Sequence, residues 1–334
     1  MTEELIWPEH MVARDDMRAW LSAVLPGQPP IARDVTPLRV KRWGATGVFL
    51  ADGVPVVGKH AQPALFPSGP SVHRFVQDVA PAAVAPLLAA QDGPGWQRSV
   101  FGLVEGPTAE TRGLASRVEV ARALAAIQVA AASGSAPTLP AYHLPDVVDD
   151  LIADVCTVND QEPALTARLL AAADVLHDFA AELVAAVPVS IDHSDMNEAN
   201  AIIPDQGPVV ILDWEEATLG CPLLSLSRLL QDAGAYRDKI TDAYVESLTS
   251  WGDVRPLIDR ANVVAPVKSA HEARAYARAL GWPAPYANHE RETARLLTLA
   301  LDRLDAMPGR LGWRAARRPR DQRPTGRAGA GRHC

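Results

Sequence analysis

Apolar residues recur every three or four positions at the start of the chain (Met11, Met17, Trp20, Leu21, Val24), which predicts a helix over roughly Pro8 to Val24. From Val35 to Lys59 the period shortens to two. Leu38-Arg39-Val40-Lys41-Arg42-Trp43 alternates, Val48-Phe49-Leu50 and Val54 to Lys59 are short apolar runs, and Asp52-Gly53 between them is a hairpin signal. Three antiparallel strands are expected here, with Trp43-Gly-Ala-Thr-Gly47 joining the first two. A helix follows around Ser71 to Val79, and a strand near Ser99 to Val104 ends at Glu105-Gly106-Pro107.

Beyond that point the pattern is helical. Leu114–Ala132, Pro145–Val158 and Ala164–Val187 carry apolar residues at helical spacing, as do Leu223–Asp232, Ala235–Trp251, Val254–Leu280 and Glu290–Met307. Two short β-like runs, Pro188 to His193 and Pro208 to Asp213, interrupt this half. The tail from Pro308 has no apolar period and is expected to be disordered. These shifts divide the chain into a helical extension (1–34), a small β-rich part (35–104), a helical part (105–308) and an Arg-rich tail (309–334).

Composition narrows the class. A chain of 334 residues with 48% hydrophobic content can bury two cores or one bilobal unit. No apolar run approaches the ~18 residues that would span a membrane. The acidic Met1-Thr-Glu-Glu start is unlike a basic signal peptide, so a cytoplasmic location is expected. Cys156, Cys221 and Cys334 lie too far apart for a C-x-x-C zinc site. The net charge is −8, and removing the tail's eight Arg and one Asp leaves 24 basic and 39 acidic residues before Arg310, a balance of −15. An acidic body disfavours nucleic acid as partner and favours cationic small molecules.

The chemistry concentrates in Ile191 to Trp214. His193, Asp195 and Asn200 form an H-x-D-x-x-x-x-N pattern, and Asp213 follows thirteen residues after Asn200. Asp205-Gln-Gly207 is a turn between two apolar runs, so a hairpin would return Asp213 to the edge where Asn200 sits. Phosphoryl transfer from ATP needs this set: a carboxylate (Asp195) to orient an acceptor hydroxyl and take its proton, and oxygen donors (Asn200, Asp213) to hold Mg²⁺ on the phosphates. His193 is expected to brace the loop by hydrogen bonds. Lys59, ending the third strand, is a candidate phosphate contact, and the Thr46 hydroxyl and Gly47 backbone could lie over the phosphates.

His193 to Asn200 together with Leu212-Asp213-Trp214-Glu215-Glu216, and the following run to Gly220-Cys-Pro222, resemble the aminoglycoside phosphotransferase and choline kinase family, relatives of protein kinases. The resemblance implies an α+β, bilobal protein kinase-like fold, with a small antiparallel sheet binding ATP and a mainly helical second lobe. It implies Asp195 as catalytic base, Asn200 and Asp213 as Mg²⁺ ligands and a small hydroxylated acceptor. Glu198, Glu215, Glu216, Asp232 and Asp238 would favour a cationic acceptor if they face the cleft. Oligomeric state has no signature. Three positions depart from the family. No Glu lies between Gly53 and Val104 to pair with Lys59, the nearest substitute being Asp78. Ser194 stands where relatives carry Gly, and Ser225 or Ser227 where they carry Asp. These departures raise an alternative, a nucleotide-binding protein without catalysis. A protein kinase is disfavoured because the segment after Asp213 runs quickly into Gly220-Cys-Pro222.

Overall fold

The computed structural model describes residues 17, 19–25, 37–41, 44–51, 53–61, 68–93, 95–134, 139–158, 160–279 and 288–307. Of the expected N-terminal helix, Met17 and residues 19–24 are helical, and its earlier part lies outside the described residues, as does the tail from residue 308. The chain divides into two compact units, Met1–Ala141 with Pro188–Arg255, and Tyr142–Val187 with Pro256–Cys334.

The first unit carries a five-stranded antiparallel sheet: β1 (Pro37–Lys41), β2 (Gly44–Ala51), β3 (Val54–Ala61), β4 (Leu87–Gly93) and β5 (Trp96–Gly102), in the order β1-β2-β3-β5-β4. Period two decides what each face does. Phe49 lies opposite Val56 and Val100 opposite Gly58, and this face buries Phe49, Val56 and Val100 against Met17, Trp20 and Leu21. Each such buried side chain contributes about 1.5–3 kcal/mol. The next register places Thr46, Lys59 and Ser99 side by side on the opposite face. That face meets the Gly69–Val79 helix, where the His73 ring packs on Phe101 with centroids 4.7 Å apart.

The expected connection at residues 43–47 is corrected from Gly44 onward, which is β2 strand paired on both sides, Thr46 with Arg39 and with Lys59. Gly44 serves close approach and not a turn. A Cβ on Gly44 would stand 2.8 Å from the His60 carbonyl oxygen. Likewise, a Cβ on Gly58, the partner of Gly47, would stand 2.7 Å from the Phe49 ring. The turn that does need glycine is the β2–β3 hairpin, where Gly53 has φ 79°.

Helix Arg117–Ser133 and the short pairs β6 (Ser190–Asp192) with β9 (Thr218–Gly220), and β7 (Ala201–Ile202) with β8 (Val210–Ile211), complete the frame of the site. One strand of each pair, β6 and β8, falls within a predicted β-like run. Helices Leu226–Leu230 and Arg237–Ser247 follow. The second unit is helical: Leu144–Val158, Pro163–Ala186, Arg255–Ala279 from Pro256 on, and Asn288–Ala306. Its buried Arg274 is held by Asp154 and by Asp160 at 2.8 Å. No described helix is long and apolar enough to cross a membrane.

Candidate active site

The β7–β8 hairpin closes as its sequence requires. Ala201 pairs with Ile211, and the Leu212 amide donates to the Asn200 carbonyl at 2.8 Å, which sets Asn200 beside the residue preceding Asp213. Asp213 itself adopts φ 64°, ψ 48°, a left-handed conformation that turns the chain out of the strand. Its carboxylate meets Lys59, whose Nζ donates to Oδ1 at 2.5 Å although the two residues are 154 positions apart.

A second carboxylate shares that lysine. Glu215 Oε2 lies 2.8 Å from Lys59 Nζ, and its side chain is 10% exposed. From the sequence Glu215 is expected among acids around an acceptor, and the lysine's partner on the helix after β3. Asp78 does lie on that helix, Gly69–Val79, but the described ion-pair partners of Lys59 are Asp213 and Glu215. The reason is visible at the helix start. A Cβ on Gly69 would stand 3.1 Å from Glu215 Cγ, so a residue without a side chain lets Glu215 occupy this space. Burial alone would lower the Lys59 pKa, but the two carboxylates more than offset it and hold the ammonium above its ordinary range. Burial pushes the Glu215 carboxyl up, Lys59 opposes this, and Asp213 adds to it.

The loop Asp192 to Asn200 carries the other candidates. His193 is fully buried, its Nε2 hydrogen-bonds the Leu212 carbonyl at 2.8 Å, and its ring packs on Trp214 at 4.6 Å. It ties the 192–200 loop to the Asp213 segment. Ser194 has φ 62°, a left-handed conformation that glycine adopts most readily and that this chain meets with serine. Asp195 accepts from Asn200 Nδ2 at Oδ2 (3.3 Å) and from Arg228 Nη2 at Oδ1 (3.0 Å). The amide nitrogen of Asn200 also donates to the Asp195 carbonyl at 2.9 Å, which leaves the Asn200 side-chain oxygen as the end available to a ligand. That amide oxygen and the carboxylate of Asp213 are hard oxygen donors of the kind Mg²⁺ takes. Thr46 and Gly47 sit on β2 beside Lys59 and Gly58 respectively, and Thr46 shares the Lys59 face.

Beneath the loop lies a buried polar network. Ser225 Oγ donates to Asp192 Oδ1 (2.7 Å) and accepts from the His193 amide (2.9 Å), and Asp192 Oδ1 also accepts from the Ser194 amide (3.3 Å). Gln128 Nε2 reaches the Ile191 and Pro222 carbonyls at 3.1 and 2.9 Å, while Tyr244 donates to Gln128 Oε1 at 2.5 Å. Of the two serines weighed in the sequence, Ser225 braces the loop through these bonds. Arg117 joins Glu198 to the carbonyls of Leu229 (2.9 Å) and Gln231 (2.5 Å).

Over residues 28–257, more than half of its length, the chain matches the model of the phosphotransferase enzyme family. The chain belongs to that family. The fold of this phosphotransferase agrees with solved structures. A choline/ethanolamine kinase family protein from Mesorhizobium loti superposes with TM-score 0.64 at 16% identity, covering 89% of this chain and 96% of the other. A thermostable mutant of aminoglycoside phosphotransferase APH(4)-Ia, in ternary complex with AMP-PNP and hygromycin B, gives 0.60 at 15% identity, covering 87% and 100%. The macrolide 2'-phosphotransferase MphH from Brachybacterium faecium gives 0.57 at 18% identity, covering 85% and 97%. No curated protein sequence matches. The α+β, protein kinase-like fold expected from the sequence is therefore borne out.

Truncating Ser225 to Ala tests the brace in this phosphotransferase. It leaves the buried His193 amide without the Ser225 acceptor and removes one of the donors to Asp192, a loss of about 1–3 kcal/mol. Chemical denaturation should show a lower midpoint at unchanged slope, and an unchanged midpoint would remove the network from the loop's support.

Proposed function

We propose that this chain is an ATP- and Mg²⁺-dependent phosphotransferase that moves the γ-phosphoryl group of ATP to a hydroxyl of a small molecule. The observation that carries the reading is the Lys59–Asp213 contact: the third strand's lysine bonds the carboxylate that follows the β7–β8 hairpin, with Asn200 and Asp195 on the adjoining loop. Lys59 is the group for the ATP phosphates, and Thr46 and Gly47 adjoin it on β2. Asn200 and Asp213 would hold Mg²⁺, which when bound neutralises phosphate charge. Asp195 orients the acceptor hydroxyl and accepts its proton, and Asn200 and Arg228 fix that carboxylate. Little covalent work falls to the protein, and positioning with charge neutralisation supplies the rate.

Of the three departures that raise a non-catalytic reading, the missing helix Glu is answered by Glu215 at Lys59. Two of the acids considered for a cationic acceptor are engaged internally, Glu198 by Arg117 and Glu215 by Lys59. The solved relatives bound to hygromycin B and to spectinomycin support a small-molecule acceptor. The test is to follow labelled phosphate from ATP, with and without Mg²⁺, into pools of amino sugars, amino alcohols, macrolides, neutral polyols and peptides. A labelled small molecule formed only with the metal supports the reading; ATP binding without transfer to any pool, or to water, would sink it.

A further inference from the structure

We infer that Arg228 is a further catalytic residue, the cation that meets the phosphoryl group on the acceptor side of Asp195. The inference rests on the phosphotransferase reading above and deepens it.

The charge balance of the site calls for such a group. Lys59 is one cation facing two carboxylates, Asp213 and Glu215, and Asp195 adds a third, a formal balance of −2 among the candidate residues. Lys59 is thus matched before any phosphate arrives. A phosphoryl group in transfer spreads negative charge over its equatorial oxygens, and it passes within reach of the carboxylate that takes the acceptor proton. Cationic charge is needed there, beside Asp195 and away from Lys59. Arg228 Nη2 lies 3.0 Å from Asp195 Oδ1, with the arginine side chain 48% exposed and the aspartate 26%.

The fold fixes this arginine's backbone on both sides. In the helix Leu226–Leu230 the other four residues, Leu226, Ser227, Leu229 and Leu230, are buried, so Arg228 is the position turned outward. Ser225 just before the helix is bonded to Asp192 and to the His193 amide. On the far side, Arg117 grips the carbonyls of Leu229 and Gln231 while pairing with Glu198 of the catalytic loop. Both flanks of Arg228 are therefore anchored to the loop that carries Asp195, and its guanidinium presents a rigid fork suited to phosphate oxygens.

In the transfer, the acceptor oxygen forms its bond to the γ-phosphorus as the bond from that phosphorus to the β–γ bridging oxygen breaks. The bridging electron pair stays with ADP, and the acceptor proton passes to Asp195. Arg228 donates to the equatorial oxygens throughout and exchanges no proton.

The experiment reads ATP turnover with water as the acceptor, which needs no identified substrate, in the full chain and in R228A, R228Q and R228K. Turnover in R228A should fall about 100-fold, while the ATP dissociation constant moves less than about threefold and the melting temperature stays near that of the wild type. R228K should keep an intermediate rate, and millimolar guanidinium should raise the R228A rate about tenfold with no effect on the wild type. A rate in R228A within about threefold of the wild type would overturn the inference. So would a loss that guanidinium leaves untouched, since an arginine that merely held the loop would give that result. No ATP turnover in the wild type, with water or with any acceptor pool, would instead overturn the phosphotransferase reading itself.

Discussion

Asp195→Asn is expected to lower turnover by about 10³-fold while leaving ATP affinity within about threefold of the wild type. The substitution conserves shape and removes one function. An amide cannot take the acceptor proton, and it brings an N–H₂ group to a position where Asn200 and Arg228 already donate. One of those donors loses its acceptor, so the acceptor hydroxyl is held less well even in the correct rotamer. Lys59 and Asp213, which face the nucleotide in the proposed arrangement, keep their own bond. Stability should change by no more than about 1 kcal/mol, because the Arg228 pair is partly exposed and screened by solvent. Steady-state kinetics with a nucleotide titration separates the two effects. Turnover in the variant within about threefold of the wild type would remove Asp195 as the base.

Lys59→Met should cost both activity and stability. It leaves the Asp213 and Glu215 carboxylates together without the ammonium that bonds them at 2.5 and 2.8 Å. Breaking one partner of a largely buried ion cluster costs about 2–4 kcal/mol, a fall of roughly 5–15 °C in the melting temperature of a domain this size. The penalty should depend on pH. Burial already raises the Glu215 pKa against the opposing pull of Lys59, and without the lysine it rises further. A carboxyl whose folded pKa exceeds its unfolded value contributes stability at low pH and loses it as pH rises through the folded pKa. The deficit of Lys59→Met should therefore be smaller near pH 5 than near pH 8. The double variant K59M/E215Q should be more stable than K59M alone, since the uncompensated charge has gone. Melting curves at the two pH values decide the matter. A deficit independent of pH and unchanged in the double variant would show that the three groups do not form one electrostatic unit.

Elements with long runs of one period were legible in the chain. The helices Arg117–Ser133, Leu144–Val158 and Pro163–Ala186 lie within a few residues of their apolar patterns, because burying a stripe at every third or fourth position is a local demand. The Asn200–Asp213 hairpin was equally legible, since two short apolar runs around Asp205-Gln-Gly207 have one compact way to pair. The segment 44–47 was misread. Two glycines near a strand start look like a turn, and only the strand pairing and the His60 carbonyl beside Gly44 show a strand closely approached by its neighbour.

The sequence by itself determined the family and the candidate residues, because the order His193, Asp195, Asn200, Asp213 and the lysine at the end of a predicted strand are local patterns. Only the tertiary structure decided what each charge faces. That Glu215 serves Lys59, that Glu198 is taken by Arg117 and that Arg228 meets Asp195 depends on contacts between residues tens to more than a hundred positions apart. A carboxylate or a guanidinium looks the same in sequence whether it is solvated or paired. Its role follows from the distance to the opposite charge, and folding sets that distance.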